Sequence, residues 1–210
     1  MTDPRRISAL AHRAAVATPN GELRLAEVPF LGKLTLRGDP DRIGGIVQSA
    51  LGLDLPRAVK GTAANGKATA IWTAPDEWWL VTRAGEEAAT KGALELALAG
   101  VHSQVTDITD YYTTISVEGP RAREALMKLM TVDLHPRMFK PGEAVLAMVG
   151  RANPLVWLKP EAEFEIHIRI SMADYLWCAL CEAGHEWGLD MPPPKGEVRL
   201  HLPHFDVAVG

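Results

Sequence analysis

Cysteine is scarce in this chain: two of 210 residues, Cys178 and Cys181. Two thiols three positions apart cannot build a disulfide framework, so a small cross-linked secreted fold is excluded and a reducing cytoplasm is the expected location. Long hydrophobic runs are missing as well. No stretch of about 18 apolar residues occurs, which leaves no candidate membrane span. The opening Met1–Arg13 is polar and basic, without the apolar centre of a signal peptide. Positive charge is not in excess: Lys and Arg total 22 against 26 Asp and Glu, a net charge of -4. That balance argues against a protein that grips nucleic acid by charge. Neither G-x-G-x-x-G, G-x-x-x-x-G-K-[ST] nor a G-x-S-x-G elbow is present. What remains is an ordinary globular composition, 47% hydrophobic and 23% charged, of a length that suits one large domain or two small ones.

What the chain does have is an internal repeat. Leu34-Thr-Leu-Arg-Gly-Asp-Pro-Asp-Arg-Ile43 and Ile115-Ser-Val-Glu-Gly-Pro-Arg-Ala122 each read as a short strand, a glycine turn and a helix start. Pro40 and Pro120 sit in the first turn, where no hydrogen bond is lost. Ile43, Ile46, Val47, Ala50 and Leu51 then share one helical face, and Ala122, Ala125, Leu126, Leu129 and Met130 repeat that stripe 79 residues later. Both helices close on one phrase, Leu53-Asp-Leu-Pro56 and Val132-Asp-Leu-His-Pro136. Trp72-Thr-Ala-Pro75 matches Trp157-Leu-Lys-Pro160, each followed by an acid and a strand, Trp79–Thr82 or Phe164–Ile170. A helix ends each half, about Glu86–Leu98 and Met172–Ala183, with Gly100 and Gly184 as its C-terminal glycines.

The expected architecture is therefore α+β, two repeated split-βαβ (ferredoxin-like) units. Residues 1–30 form an arm or leading strand, 31–100 the first repeat, 101–190 the second, and 191–210 a Pro-rich extension with a short docking strand. In the strand from Phe164, alternation places Ile166, Ile168 and Ile170 inward and Glu165, His167 and Arg169 on the polar side of a half-buried strand. Trp78 and Trp79 are adjacent, so they point to opposite faces. Matching Glu163-Phe164 to them makes Phe164 and Trp79 the inward pair. Trp78 is then the outward one, a candidate interface residue covered by a partner subunit or by the extension beyond Pro192.

Candidate chemistry is sparse. Cys178-Ala-Leu-Cys181 offers two ligands where zinc needs four, and it lies in a helical stretch among Leu and Trp, so packing is its expected role. His185, His201 and His204 follow without a metal-site spacing. Asp107 and Asp110 could act as an acid–base pair, but aspartates before a strand more often satisfy turn amides. Gly44-Gly45 falls within the first helix and reads as a close-packing device rather than an anion cradle.

The run Asp107-Ile-Thr-Asp-Tyr-Tyr-Thr-Thr-Ile-Ser-Val-Glu-Gly-Pro-Arg-Ala-Arg-Glu-Ala-Leu126, with Val132-Asp-Leu-His-Pro-Arg-Met-Phe-Lys-Pro-Gly142, resembles the gamma subunit of heterotetrameric sarcosine oxidase. So does Trp72-Thr-Ala-Pro-Asp-Glu-Trp-Trp-Leu80, and the resemblance spans about residues 30–188. The wider superfamily holds the glycine-cleavage T-protein and folate-binding aminomethyltransferases, built from two related α+β units. The resemblance implies a complex that oxidatively demethylates sarcosine to glycine and hydrogen peroxide and passes the one-carbon unit to tetrahydrofolate. It also implies alpha, beta and delta partner subunits: alpha with NAD and a folate domain, beta with FAD and a shared covalent FMN, delta with zinc. Gamma carries no cofactor, so this chain is expected to supply no catalytic, cofactor-binding or metal-ligating residue. One departure bears on that. Folate-binding relatives carry paired aspartates where this chain has Gly66-Lys-Ala-Thr-Ala-Ile-Trp72, and the nearest acids are Asp76 and Glu77 in the next turn. The alternatives are a free-standing folate-binding one-carbon protein and a metal-binding regulatory module on Cys178 and Cys181.

Overall fold

The computed structural model describes residues 6–195. In chain order the elements are β1 (Val16–Ala17), β2 (Arg24–Glu27), β3 (Gly32–Gly38), α1 (Pro40–Leu51), β4 (Thr62–Ala64), β5 (Ala68–Ala74), β6 (Glu77–Thr82) and α2 (Glu87–Ala97). The second half follows with β7 (Ser103–Asp107), β8 (Tyr112–Glu118), α3 (Ala122–Met127), β9 (Ala144–Leu146), β10 (Leu155–Leu158), β11 (Phe164–Arg169) and α4 (Ile170–Gly184). The repeat is thus realised as β3-α1-β5-β6-α2 and β8-α3-β10-β11-α4. Local chemistry starts and stops α1: the Asp39 carboxylate accepts from the Asp41 amide at 2.9 Å, Pro40 leads the first turn, and Gly52 ends the helix in a left-handed conformation.

The strands form two antiparallel sheets, β4-β5-β6-β3-β7 and β1-β2-β8-β11-β10-β9. The repeats exchange their leading strands. β2 precedes the first repeat but pairs with β8 of the second, and β7, which leads into β8, pairs with β3 of the first. Sheet boundaries thus differ from the sequence halves: the five-stranded sheet takes β7 from 101–190, and the six-stranded sheet takes both β1 and β2 from residues 1–30. Tight approach accompanies the exchange. Gly119 has φ +102°, and a β-carbon there would lie 2.3 Å from the Glu22 carbonyl oxygen.

Three apolar layers result, because the sheets pack back to back with helices outside. Leu34, Leu36, Trp78 and Leu80 meet Ile43 and Val47 of α1 and Leu94 of α2. Ile115, Val117, Phe164 and Ile166 meet Leu126 of α3 and Leu176, Trp177 and Leu180 of α4. Between the sheets lie Ile71, Trp79, Val81, Ala144, Leu155 and Trp157.

This layering corrects the reading of Trp78. Its exposure is 0% within the chain, and its indole N–H donates to the Pro56 carbonyl at 2.7 Å. Trp79 is equally buried, against the other sheet. Strand alternation does send the two apart, but both faces of β6 are covered, so Trp78 is core and not an interface residue. Register shows the source of the error: Trp78 faces Leu36 and Phe164 faces Val117, so Phe164 matches Trp78 and not Trp79. For the same reason β11 is not half-buried, since Glu165 and His167 are enclosed between the sheets.

Smaller differences have local causes. α3 ends at Met127, short of the expected stripe, because Met130 is drawn into a bridge with Val149. Gly184 closes α4 without a left-handed turn. It is buried, a β-carbon there would lie 2.6 Å from the Leu23 side chain and 2.7 Å from that of Leu189, and Gly188 takes the left-handed position. Nothing packs tightly on Gly44 or Gly45. Arg13 clamps Asp174 of α4 at 2.7 and 3.0 Å, joined by His12 at 2.8 Å. The Lys195 amide donates to the His12 carbonyl at 2.8 Å. The expected docking strand after Gly196, with His201 and His204, lies outside the described residues.

Candidate functional site

The acid pair at the repeat junction is divided between structural tasks. Asp107 accepts from the Thr109 amide at 2.9 Å, fixing the turn after β7. Asp110, three residues on, is exposed and pairs with Arg6. Asp76 and Glu77 sit at the far end of β5 from Gly66 and share Arg37 at 3.2 and 3.4 Å. Asp107 and Asp110 serve different partners, and Asp76 and Glu77 meet only on a surface guanidinium, which cannot relay a proton between them.

The cysteines lie one helical turn apart on α4. Cys181 is buried and Cys178 half-buried. Burial pushes the Cys181 thiol up to about 11 and also raises Cys178. Thiols held protonated are poor nucleophiles and poor ligands. Among the described residues no cluster of three His, Cys, Asp or Glu side chains includes them.

The strongest electrostatic feature lies between the sheets, where alternation sends Lys33, Thr114, Glu165 and His167 into the shared layer. Lys33 is fully buried, and its ammonium donates to the Leu31 and Tyr112 carbonyls at 3.0 and 3.3 Å. Burial lowers its pKa to about 8, with Glu165 pulling the other way. His167 has 0% exposure and its pKa falls well below the usual value, through burial first and then Lys33 and Lys159. Burial raises the Glu165 pKa against the attraction of Lys159, which is 3.1 Å away.

Thr114 Oγ1 lies 2.9 Å from His167 Nδ1, and His167 Nε2 lies 3.7 Å from Glu165 Oε2. Hydroxyl, imidazole and carboxylate thus stand in the order of a nucleophilic triad. Thr114 and His167 are both sealed from solvent, however, so no substrate reaches the hydroxyl. Glu165 Oε2, His167 Nε2 and the Trp157 indole N–H are buried without partners. A hollow of about 200 Å3 opens beside this cluster, lined by Lys67, Thr69, Arg83, Trp157, Lys159 and Glu165. The Gly66-Lys67 turn ahead of β5 contributes its lysine to this wall.

Sequence reasoning does not find this cluster, because alternation alone places Glu165 and His167 on a polar strand face. The available signal was in the other repeat, where the positions matching them are Trp79 and Val81, both apolar.

Comparison with known proteins places these features in context. The model of the sarcosine oxidase, gamma subunit family matches residues 37–186. The sarcosine oxidase subunit gamma of Corynebacterium sp. (strain U-96) is 32% identical over 181 residues, covering 85% of this chain and 87% of the relative. That of Arthrobacter sp. is 29% identical over 168 residues, covering 79% and 82%. Among solved structures, a chain of the heterotetrameric sarcosine oxidase from Corynebacterium sp. U-96, in complex with pyrrole 2-carboxylate, superposes with a TM-score of 0.80 and 28% identity. That match covers 89% of this chain and 98% of the other. The glycine cleavage system aminomethyltransferase T from Bartonella henselae matches at TM-score 0.56 and 16% identity over 82% of this chain and 47% of its own, a likeness of fold.

Proposed function

The chain belongs to the sarcosine oxidase, gamma subunit family, and from that premise we propose that it is the gamma subunit of a heterotetrameric sarcosine oxidase with no chemistry of its own. The observation that carries the proposal is the superposition on a chain of the heterotetrameric enzyme, which runs almost the full length of both. Its partners are the alpha, beta and delta subunits, and the complex oxidises sarcosine to glycine and hydrogen peroxide with one-carbon transfer to tetrahydrofolate. FAD, FMN, NAD, tetrahydrofolate and zinc are assigned to the other subunits.

The residues of this chain support a structural role. Asp107, Asp110, Asp76 and Glu77 are engaged in a turn and in surface ion pairs, the thiols are held protonated, and the Thr114–His167–Glu165 series is closed to substrate. A subunit so built contributes through contact, by completing and stabilising the assembly.

The test is co-expression of the tagged chain with its candidate partners, followed by sarcosine-dependent peroxide formation from the isolated chain and from the co-purified assembly. The expected result is co-purification, with turnover by the assembly and none by the chain alone. Peroxide formation by the isolated chain, or its failure to co-purify, overturns the proposal.

A further inference from the structure

The two repeats are equivalent in sheet order except at one edge. In the six-stranded sheet β2 lies against β8, and β1 covers the outer edge of β2. In the five-stranded sheet β7 lies against β3 in the matching place, and no strand among the described residues covers its outer edge. The correspondence holds residue by residue. Leu25 faces Val117 across β2–β8, and Val105 faces Leu36 across β7–β3. Val117 and Leu36 are themselves equivalent, through Phe164 and Trp78. Leu25 therefore matches Val105, and what covers Leu25 is Val16 of β1.

Hydrogen-bond direction agrees with this match. In an antiparallel ladder, alternate residues turn their amide and carbonyl toward the same neighbour. The Ile108 amide donates to the Lys33 carbonyl at 2.9 Å, so Thr106 and Gln104 also face β3. Ser103, Val105 and Asp107 turn theirs to the open edge. On the covered side, the Thr18 amide donates to the Leu23 carbonyl at 2.9 Å, which places the Leu25 groups toward Val16. Burial follows the cover: Leu25 has 0% exposure, while Val105 is only partly buried beside the same kind of helix-side core. Along Ser103–Asp107 the β7 edge carries no proline, bulge or lysine, three of the devices that block strand addition.

We infer that the β7 edge is a strand-docking surface that accepts an extended segment of a partner subunit. The inference rests on the heterotetramer reading above, which supplies partner chains. The segment lies antiparallel, as β1 does on β2, and sets an apolar, preferably β-branched, side chain opposite Val105 on the helix side. Beside Gln104 and Thr106, on the other face, it carries polar residues. Backbone amides supply the affinity, and the pocket over Val105 supplies the register.

A proline substitution tests this cleanly. Val105→Pro removes an amide that faces the open edge and keeps an apolar side chain, so the fold is retained. Thr106→Pro removes an amide that donates into β3, and it serves as the control that should lower the melting temperature. In co-expression with the partner subunits, Val105→Pro is expected to melt as the wild type does and to bind its partners at least about tenfold more weakly. Exchange of the Val105 amide in the wild type should slow at least about tenfold on assembly.

Folded Val105→Pro that assembles with unchanged affinity overturns the inference while the heterotetramer reading stands. A wild type that joins no partner overturns that reading and this one with it. Should Val105→Pro unfold, the wild-type exchange decides, and an unprotected Val105 amide in the assembly refutes strand docking. Protection in the lone monomer makes a segment of this chain the occupant, and protection that grows with concentration makes it a second copy. Either outcome overturns the partner strand.

Discussion

Replacing Lys33 by methionine isolates the cost of one buried ammonium. Lys33 is enclosed between the sheets, and its pKa falls from 10.5 to about 8. At about 1.4 kcal/mol per unit, this displacement corresponds to roughly 3 kcal/mol of penalty on the charged form in the folded state. Below pH 8 both folded and unfolded lysine are charged, and the folded protein bears the full penalty. Between pH 8 and 10.5 the folded amine is neutral while the unfolded one keeps its proton. The unfolded state then binds more protons, and stability gains with pH from this residue. Lys33→Met has no such group, and the remaining side chains titrate in both proteins. The stability of the variant minus that of the wild type should therefore fall by about 3 kcal/mol between pH 8 and 10.5. The offset itself has another origin, since methionine leaves the Leu31 and Tyr112 carbonyls without their donor, at about 1–3 kcal/mol each. Urea denaturation followed by tryptophan fluorescence at half-unit pH steps measures both proteins. Parallel stability curves across that window would refute the buried-cation argument.

Trp78→Ala in the isolated chain should cost about 3–5 kcal/mol in urea denaturation, because it empties the helix-side core and strands the Pro56 carbonyl; a loss below about 1 kcal/mol would return Trp78 to the surface. Burial raises the Glu165 pKa, so its favourable contribution is present below the ordinary value of 4.5 and lost as pH rises through the folded value. Glu165→Gln should accordingly gain on the wild type as pH rises, and denaturation curves separated by the same amount at pH 4 and pH 8 would contradict this. With Cys181 at about 11, its reaction with a disulfide reagent in the folded chain should be slow at pH 8 and quicken about tenfold per pH unit; rapid labelling at pH 7 would show a reactive thiolate. Replacing Cys178 and Cys181 together by alanine should cost about 1–4 kcal/mol and leave metal content unchanged, as elemental analysis of both proteins would show.

The repeat was legible because its signals are local. Asp39-Pro40 and Gly119-Pro120 mark helix starts, and the Ile43 and Ala122 stripes have helical spacing. What escaped the sequence is long-range. Nothing within Arg24–Glu27 or Ser103–Asp107 says that each joins the other repeat's sheet, because both are short strands at a similar distance from their glycine turns. Back-to-back packing was equally hidden. A strand buried on both faces normally reads as a continuous apolar run, and Trp78 to Val81 does so. In Phe164–Arg169 the inner face holds Glu165 and His167, which imitate a solvent face by alternation alone. The candidate site was missed for this reason: its charges are legible as residues but not as buried ones.

The central claim, one copy of this chain inside a heterotetramer, is met most directly by native mass spectrometry of the assembly purified through a tagged partner subunit. The account predicts a complex whose mass includes a single 22.8 kDa chain alongside one copy of each of three partners. A purified, sarcosine-oxidising complex whose mass lacks that chain would contradict it.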